Sequence, residues 1–189
     1  MARPAVFLDR DGTVIEEVNY LKDPNEVRLL PLVIPALQSL QRYFPLVIIT
    51  NQAGIAKGYL DEKGLQSIHS HLETVLTEAG IRLTGIYYCP HHPKVGALPY
   101  RQNCRCRKPQ PGMLLMASHF LNLHLPSSYT IGDKLSDISA GINAGTYTAL
   151  VRTGYGREHE RQIPWENIYP DFVGDNLLAV ANWILNTGL

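Results

Sequence analysis

Surplus charge is the first thing missing from this sequence: 17 Lys and Arg stand against 17 Asp and Glu. A nucleic-acid binder usually carries a basic surplus or stripe, so the balance weighs against one, although a local patch can hide in a neutral total. Long apolar runs are also missing. No stretch of about 18 apolar residues is present to span a bilayer, and Ala5–Leu8 is too brief for a signal peptide. Cysteine is scarce. There are three, an odd number, all between Cys89 and Cys106, which is not how a secreted disulfide framework is built. These absences predict a cytosolic protein that engages neither membrane nor nucleic acid. With no long apolar surface stripe either, a monomer is expected. What remains is an ordinary globular composition, 45% hydrophobic and 18% charged, and no internal repeat or linker divides it. One domain over residues 1–189 is expected, large enough for a core without disulfides.

Short apolar runs alternate with helical patterns. Ala5–Leu8 and Leu46–Ile49 are continuous rather than alternating, as parallel strands covered on both faces should be. Ile86–Tyr88, Tyr129–Ile131 and Thr148–Val151 make three further predicted strands. Helices are predicted over Ile34–Arg42, Asp61–Ala79, Gly112–Leu123, Leu135–Ala144 and Leu177–Leu185. In the second, Leu65, Ile68, Leu72, Val75 and Leu76 recur at helical spacing and Gly80 follows as a stop. Repeated strand–helix–strand units imply an α/β fold, a doubly wound parallel sheet with helices on both faces. Ligands then bind beyond the carboxyl ends of the strands. About 40 residues separate the first two strands, room for a short flap and one helix but not for a large cap domain.

Chemistry follows the strands. After the first comes Asp9-Arg10-Asp11-Gly12-Thr13. Two carboxylates this close raise each other's cost of ionisation unless a cation shares them, and Mg²⁺ prefers such hard oxygen ligands. An Asp-Gly turn without chemistry is the plainer reading of that motif alone. After the second strand, Thr50-Asn51-Gln52-Ala53 offers a hydroxyl, two amides and free backbone for phosphoryl oxygens, or an ordinary turn. Gly132-Asp133-Lys134 follows the fourth strand and adds a carboxylate for the same cation. Asp137, one helical turn on, either supports the metal indirectly or caps the helix. Arg107-Lys108 supplies two adjacent cations, suited to phosphate or simply solvated.

Together these motifs resemble those of the haloacid dehalogenase-like phosphatases over roughly residues 5 to 155. The resemblance implies Mg²⁺-dependent hydrolysis of a phosphate monoester through an aspartyl-phosphate intermediate. By it, Asp9 is the nucleophile and Asp11 the acid and base, while Thr50 and Lys108 hold the transferring phosphoryl group. Asp9, the backbone carbonyl of Asp11, and Asp133 would hold Mg²⁺.

The long segment from Cys89 to Pro111 carries Cys89-Pro90-His91-His92 and Cys104-Arg105-Cys106. Three thiolates and one imidazole suit tetrahedral Zn²⁺, with His92 competing against His91. Redox-active or merely buried cysteines are the alternatives. With this segment added, DRDGT, TNQAG, YYCPHHP, CRCRKPQPGM and IGDK are similar to those of the D-glycero-D-manno-heptose 1,7-bisphosphate 7-phosphatases. That resemblance implies structural Zn²⁺ on Cys89, His91, Cys104 and Cys106 in a loop over 89–107, and a phosphorylated sugar as substrate. It also implies substrate contacts from Arg10, Glu17, Val18, Asn19, Tyr20, Asn51, Gln52, Ala53, Arg107 and Lys134. The histidinol-phosphate phosphatases share DRDGT, the cysteine loop and CRKP. The KVGALPYRQN stretch between Pro93 and Cys104 is longer than expected of them and favours the heptose branch. A polynucleotide 3′-end phosphatase would need basic and aromatic residues interleaved in a strand-binding groove, and none is seen. A non-catalytic binding module on this fold is the remaining class.

Overall fold

The structure is a computed structural model that describes residues 2–187; residues 1, 188 and 189, the ends of the expected 1–189 domain, lie outside the described residues. Six strands form one parallel sheet: β1 (Val6–Leu8), β2 (Leu46–Asn51), β3 (Gly85–Cys89), β4 (Tyr129–Gly132), β5 (Tyr147–Val151) and β6 (Phe172–Gly174). Their order is β3-β2-β1-β4-β5-β6, so the chain steps outward from β1 to β3 and then returns to build on β1's other side. That reversal puts the carboxyl ends of β1 and β4 next to each other, with Leu8 paired to Ile131.

Burial on both faces explains the continuous apolar runs. Val6, Leu8, Leu46 and Ile48 point to one side, against α1 (Val33–Leu40), α2 (Glu62–Glu78) and α6 (Leu177–Thr187). Ala5, Phe7, Val47 and Ile49 point to the other, against α3 (Gly112–Leu121) and Ala140 of α4 (Leu135–Ala144). Each fully buried Leu, Ile or Phe of these layers contributes about 1.5–3 kcal/mol relative to exposure.

The α2 helix forms where the spacing predicts. Asp61 caps it, its carboxylate accepting from Gly64 N at 2.8 Å, and Gly80 ends it in the left-handed region at φ 74°. One strand and one α-helix have no counterpart in the sequence reading. One is the short edge strand β6. The other is α5 (Gly156–Glu166), whose only buried residue is Gly156, so it carries no apolar period to detect. Among the described residues no helix is long and apolar enough to cross a membrane.

Candidate active site and metal centre

The carboxyl ends of β1, β2 and β4 open into a cavity of about 440 Å³. Its floor is a cluster of charge. Asp9, directly after β1, is buried; its Oδ1 accepts from Arg10 N and from Lys108 Nζ, each at 2.8 Å. Lys108 Nζ also donates to the carbonyl of Ile49 in β2 at 2.8 Å and lies 2.7 Å from Asp137 Oδ1. Asn51 holds the lysine's backbone from both sides, donating to Lys108 O and accepting from Lys108 N, both at 3.1 Å. Burial disfavours a charge on Lys108, but Asp137 and Asp9 outweigh it and keep its pKa above the ordinary lysine value.

Asp11 is held differently. Arg10 Nη2 and Nε reach its carboxylate at 2.9 and 3.1–3.2 Å, and Gln52 Nε2 donates to Oδ2 at 2.9 Å. Gln52 Nε2 also lies 2.8 Å from Thr50 Oγ1. Arg10 is itself 1% exposed, and its remaining Nη1 meets His69 Nε2 at 3.2 Å.

Asp133 sits below the floor with no exposure; Oδ2 accepts from Tyr155 N at 2.9 Å, while Oδ1 has no partner among the described residues. A β-carbon on Gly12 or on Gly154 would overlap that carboxylate, so backbone closes over it from two sides. Both glycines also have positive φ, 82° and 53°. Burial first, then the charges of Asp9 and Asp137, push the Asp133 pKa up to about 8. For Asp9, burial outweighs the opposing Lys108, and Asp137 and Asp11 add to it, raising it to about 6.

Buried carboxylates this crowded, one with an orphaned oxygen, are the environment a hard divalent cation relieves. Asp9, Asp133 and Asp137 all offer oxygens within 4.8 Å of one another. Asp137 is the least available of the three: Oδ1 faces Lys108, and Oδ2 accepts from Lys134 N at 3.0 Å, closing the first turn of α4. It is therefore both the cap of its helix and the counter-ion of Lys108.

Every substrate-contact residue expected from the sequence lines the cavity. Glu17, Val18, Asn19 and Tyr20 form one wall from the flap after β1, and Asn51, Gln52 and Ala53 another after β2. Lys134 Nζ spans to Glu17 at 2.8 Å and lies over the Tyr155 ring, 4.8 Å from its centroid. Arg107 lines the rim and donates to His91 O at 3.2 Å. Leu21, Ser136 and Tyr155 also line the cavity without being among the residues the sequence singles out. Ser136 lies in the first turn of α4 just past the Gly132-Asp133-Lys134 motif, and Tyr155 follows β5, whose end carries no motif.

A second cluster stands at the end of β3. The sulfurs of Cys89, Cys104 and Cys106 lie 3.2–3.5 Å apart, with His91 Nδ1 3.3 Å from Cys106 Sγ and 3.7 Å from Cys89 Sγ. All four can hold one metal ion, and three thiolates with one imidazole are donors for Zn²⁺. His92 is turned away, its Nδ1 accepting from Lys94 N and Val95 N at 3.1 and 3.0 Å. The cysteine loop also packs on the segment that follows β2: Gly96, at φ 95°, lies so close to Ala56 O that a β-carbon there would overlap it.

A parallel sheet whose reversal point gathers Asp9, Lys108 and Asp133 defines a haloacid dehalogenase-like hydrolase, and residues 105–180 match the HAD-hydrolase-like family profile. The relatives narrow this. The D-glycero-beta-D-manno-heptose-1,7-bisphosphate 7-phosphatase of Yersinia pestis is 38% identical over 186 residues, 97% of this chain and 90% of its own. That of Vibrio cholerae is 43% identical over 156 residues, 82% of this chain and 84% of its own. Among solved structures, the D,D-heptose 1,7-bisphosphate phosphatase of B. bronchiseptica, complexed with magnesium and phosphate, superposes with a TM-score of 0.85 at 33% identity. It covers 97% of this chain and 98% of its own. The chain belongs to the heptose 1,7-bisphosphate 7-phosphatase family of phosphoric monoester hydrolases.

Proposed function

We propose that this protein removes the C7 phosphate from D-glycero-D-manno-heptose 1,7-bisphosphate, leaving the phosphate on C1, in the synthesis of nucleotide-activated heptose. The observation that carries the reading is Lys108 Nζ, buried between Asp9 at 2.8 Å and Asp137 at 2.7 Å under a polar cavity. A fixed cation beside a strand-end carboxylate is what an attack by that carboxylate on a phosphoryl group requires.

In this reading Asp9 attacks phosphorus, and Lys108 and Thr50 stabilise the charge on the transferring group. Asp11 gives its proton to the departing alkoxide and then takes one from the attacking water. Asp9, Asp133 and the Asp11 carbonyl are the residues that would hold Mg²⁺. Bound there, the ion neutralises the crowded carboxylates and polarises the phosphoryl oxygens. The flap from Glu17 to Tyr20 and the Asn51–Ala53 turn hold the sugar, and Arg107 receives the second phosphate. Cys89, His91, Cys104 and Cys106 would hold Zn²⁺, which would keep the adjoining Arg107 and Lys108 in register.

The test is phosphate release with Mg²⁺ from both anomers of the heptose bisphosphate, from histidinol phosphate and from a 3′-phosphorylated oligonucleotide. The bisphosphate is expected to give the highest kcat/KM. Preference for histidinol phosphate would move the chain to the sibling branch, and preference for the oligonucleotide would overturn the substrate class.

A further inference from the structure

The buried stripe of α2 is apolar except at one position. His69 lies among Leu65, Ile68 and Leu72 and keeps 7% exposure. A buried imidazole needs partners, and its Nε2 finds Arg10 Nη1 at 3.2 Å. The ring packs edge to face on Tyr88, with centroids 5.7 Å apart. The Tyr88 hydroxyl donates to Glu62 Oε2 of the same helix, and Glu62 Oε1 accepts from Tyr100 of the cysteine loop at 3.2 Å.

A guanidinium has donors only, so His69 Nε2 must accept, which makes the imidazole neutral with its proton on Nδ1. Burial, and then the charge of Arg10, hold the His69 pKa down to about 3, so this state persists at neutral pH. Arg10 spends Nε and Nη2 on Asp11. With His69 removed, Nη1 becomes a buried donor without a partner, a costly arrangement that rotation of the guanidinium would relieve. That rotation would carry the fork away from Asp11.

We propose that His69 is a positioning residue for proton transfer: it anchors Arg10 so that Arg10 holds the Asp11 carboxyl in one orientation at the cavity floor. The inference rests on Asp11 being the acid and base. In the first step the Asp9–phosphorus bond forms as the bond to the leaving oxygen breaks, and that oxygen takes the Asp11 proton. In the second, water attacks phosphorus, the Asp9–phosphate bond breaks, and Asp11 recovers a proton from the water.

The test compares leaving groups in a single turnover with Mg²⁺. Nitrophenolate departs from p-nitrophenyl phosphate without a proton, whereas the alkoxide of the heptose bisphosphate needs one. His69→Leu is expected to slow the first turnover of the bisphosphate roughly tenfold to a hundredfold and to leave the nitrophenol burst unchanged. His69→Gln, whose Oε1 can accept from Arg10, is expected to restore the bisphosphate rate. Equal losses on both substrates, no loss on either, or no recovery with Gln overturns the proposal. If the Leu variant does not fold, the same comparison is made between His69→Gln and His69→Asn, whose shorter amide cannot reach Arg10. Asp11→Asn is run alongside. If it does not separate the two substrates, the assignment of Asp11 fails and this inference with it. If it does and His69→Leu does not, only the role of His69 fails.

Discussion

Lys108, at the end of the cysteine loop, and Asp137, in the first turn of α4, meet at 2.7 Å with their side chains 2% and 1% exposed. Because Asp137 also closes its own helix through Lys134 N, the position of the lysine is tied to the start of α4. Removing one partner of a buried pair costs about 3–5 kcal/mol. Lys108 keeps Asp9 and the Ile49 carbonyl, so Asp137→Asn is expected near the lower end. Thermal unfolding should show that loss, and phosphate release should show kcat falling while KM changes little. A lowered Tm with unchanged kcat would reduce Asp137 to a helix cap.

Asp9→Asn should abolish turnover and leave the fold intact. Burial disfavours the Asp9 carboxylate, raising its pKa to about 6, and Lys108 keeps Asp137 and the Ile49 carbonyl when its pair with Asp9 is lost, so the variant should fold with a lowered Tm. Circular dichroism and steady-state assays check the two halves. Turnover surviving in protein shown free of deamidation would contradict covalent catalysis by Asp9.

Metal analysis of purified protein should find close to one zinc per chain. Cys106→Ser should lose it and lower Tm, and because Arg107 and Lys108 follow directly in sequence, activity should fall with it. A displacement of about 1 Å costs roughly 10²-fold. A zinc-free protein of full activity would remove the metal from the account.

Arg107→Ala tests the second phosphate. A charge-assisted hydrogen bond contributes about 1.5–3 kcal/mol, so kcat/KM for the bisphosphate should fall about tenfold to a hundredfold more than for an aryl phosphate. Equal losses would leave Arg107 as a support of the site, through its bond to His91 O.

The buried imidazole also has a signature in stability. His69 has a folded pKa of about 3 against an ordinary value of 6.5. Below about pH 6.5 the unfolded chain takes up a proton that the native state refuses. The contribution of neutral His69 is therefore complete above that pH and is lost as pH falls toward 3, by up to about 1.4 kcal/mol per pH unit. Urea unfolding of the parent and of His69→Gln from about pH 7 to pH 4 should diverge, with the variant the shallower. Parallel profiles would mean that His69 titrates normally.

The sequence carries the parts of this site that have a period or a spacing. Continuous runs such as Leu46-Val47-Ile48-Ile49 announce buried strands, and the reversal of strand order then explains why Asp9, Thr50 and Asp133 come together at the ends of neighbouring strands, with Asp9 and Thr50 lining the cavity and Asp133 buried beneath it. The α5 helix was illegible because it buries only Gly156 and carries Pro164 and an 88%-exposed Trp165. Tyr155 was missed for a related reason, since its value lies in a backbone N–H aimed at Asp133. His69 reads in the sequence as one polar residue in an apolar stripe. Only the structure, which brings its Nε2 within 3.2 Å of Arg10 Nη1, shows that Arg10 lies opposite it.

The order of strands also sets when the cation site can exist. Asp9 and Asp133 end neighbouring strands yet are separated by more than half of the chain. A nascent chain that has completed β1, β2, β3 and the cysteine loop already holds Asp9, Thr50, Lys108 and every zinc donor. It has neither Asp133 nor Asp137, and Lys108 lacks one of its two carboxylate partners. Such long-range pairings form late and slowly. During synthesis the cysteine and histidine cluster is therefore complete before the carboxylate cluster, so an unfinished chain can offer its thiolates to a metal while it still lacks Asp133 and Asp137.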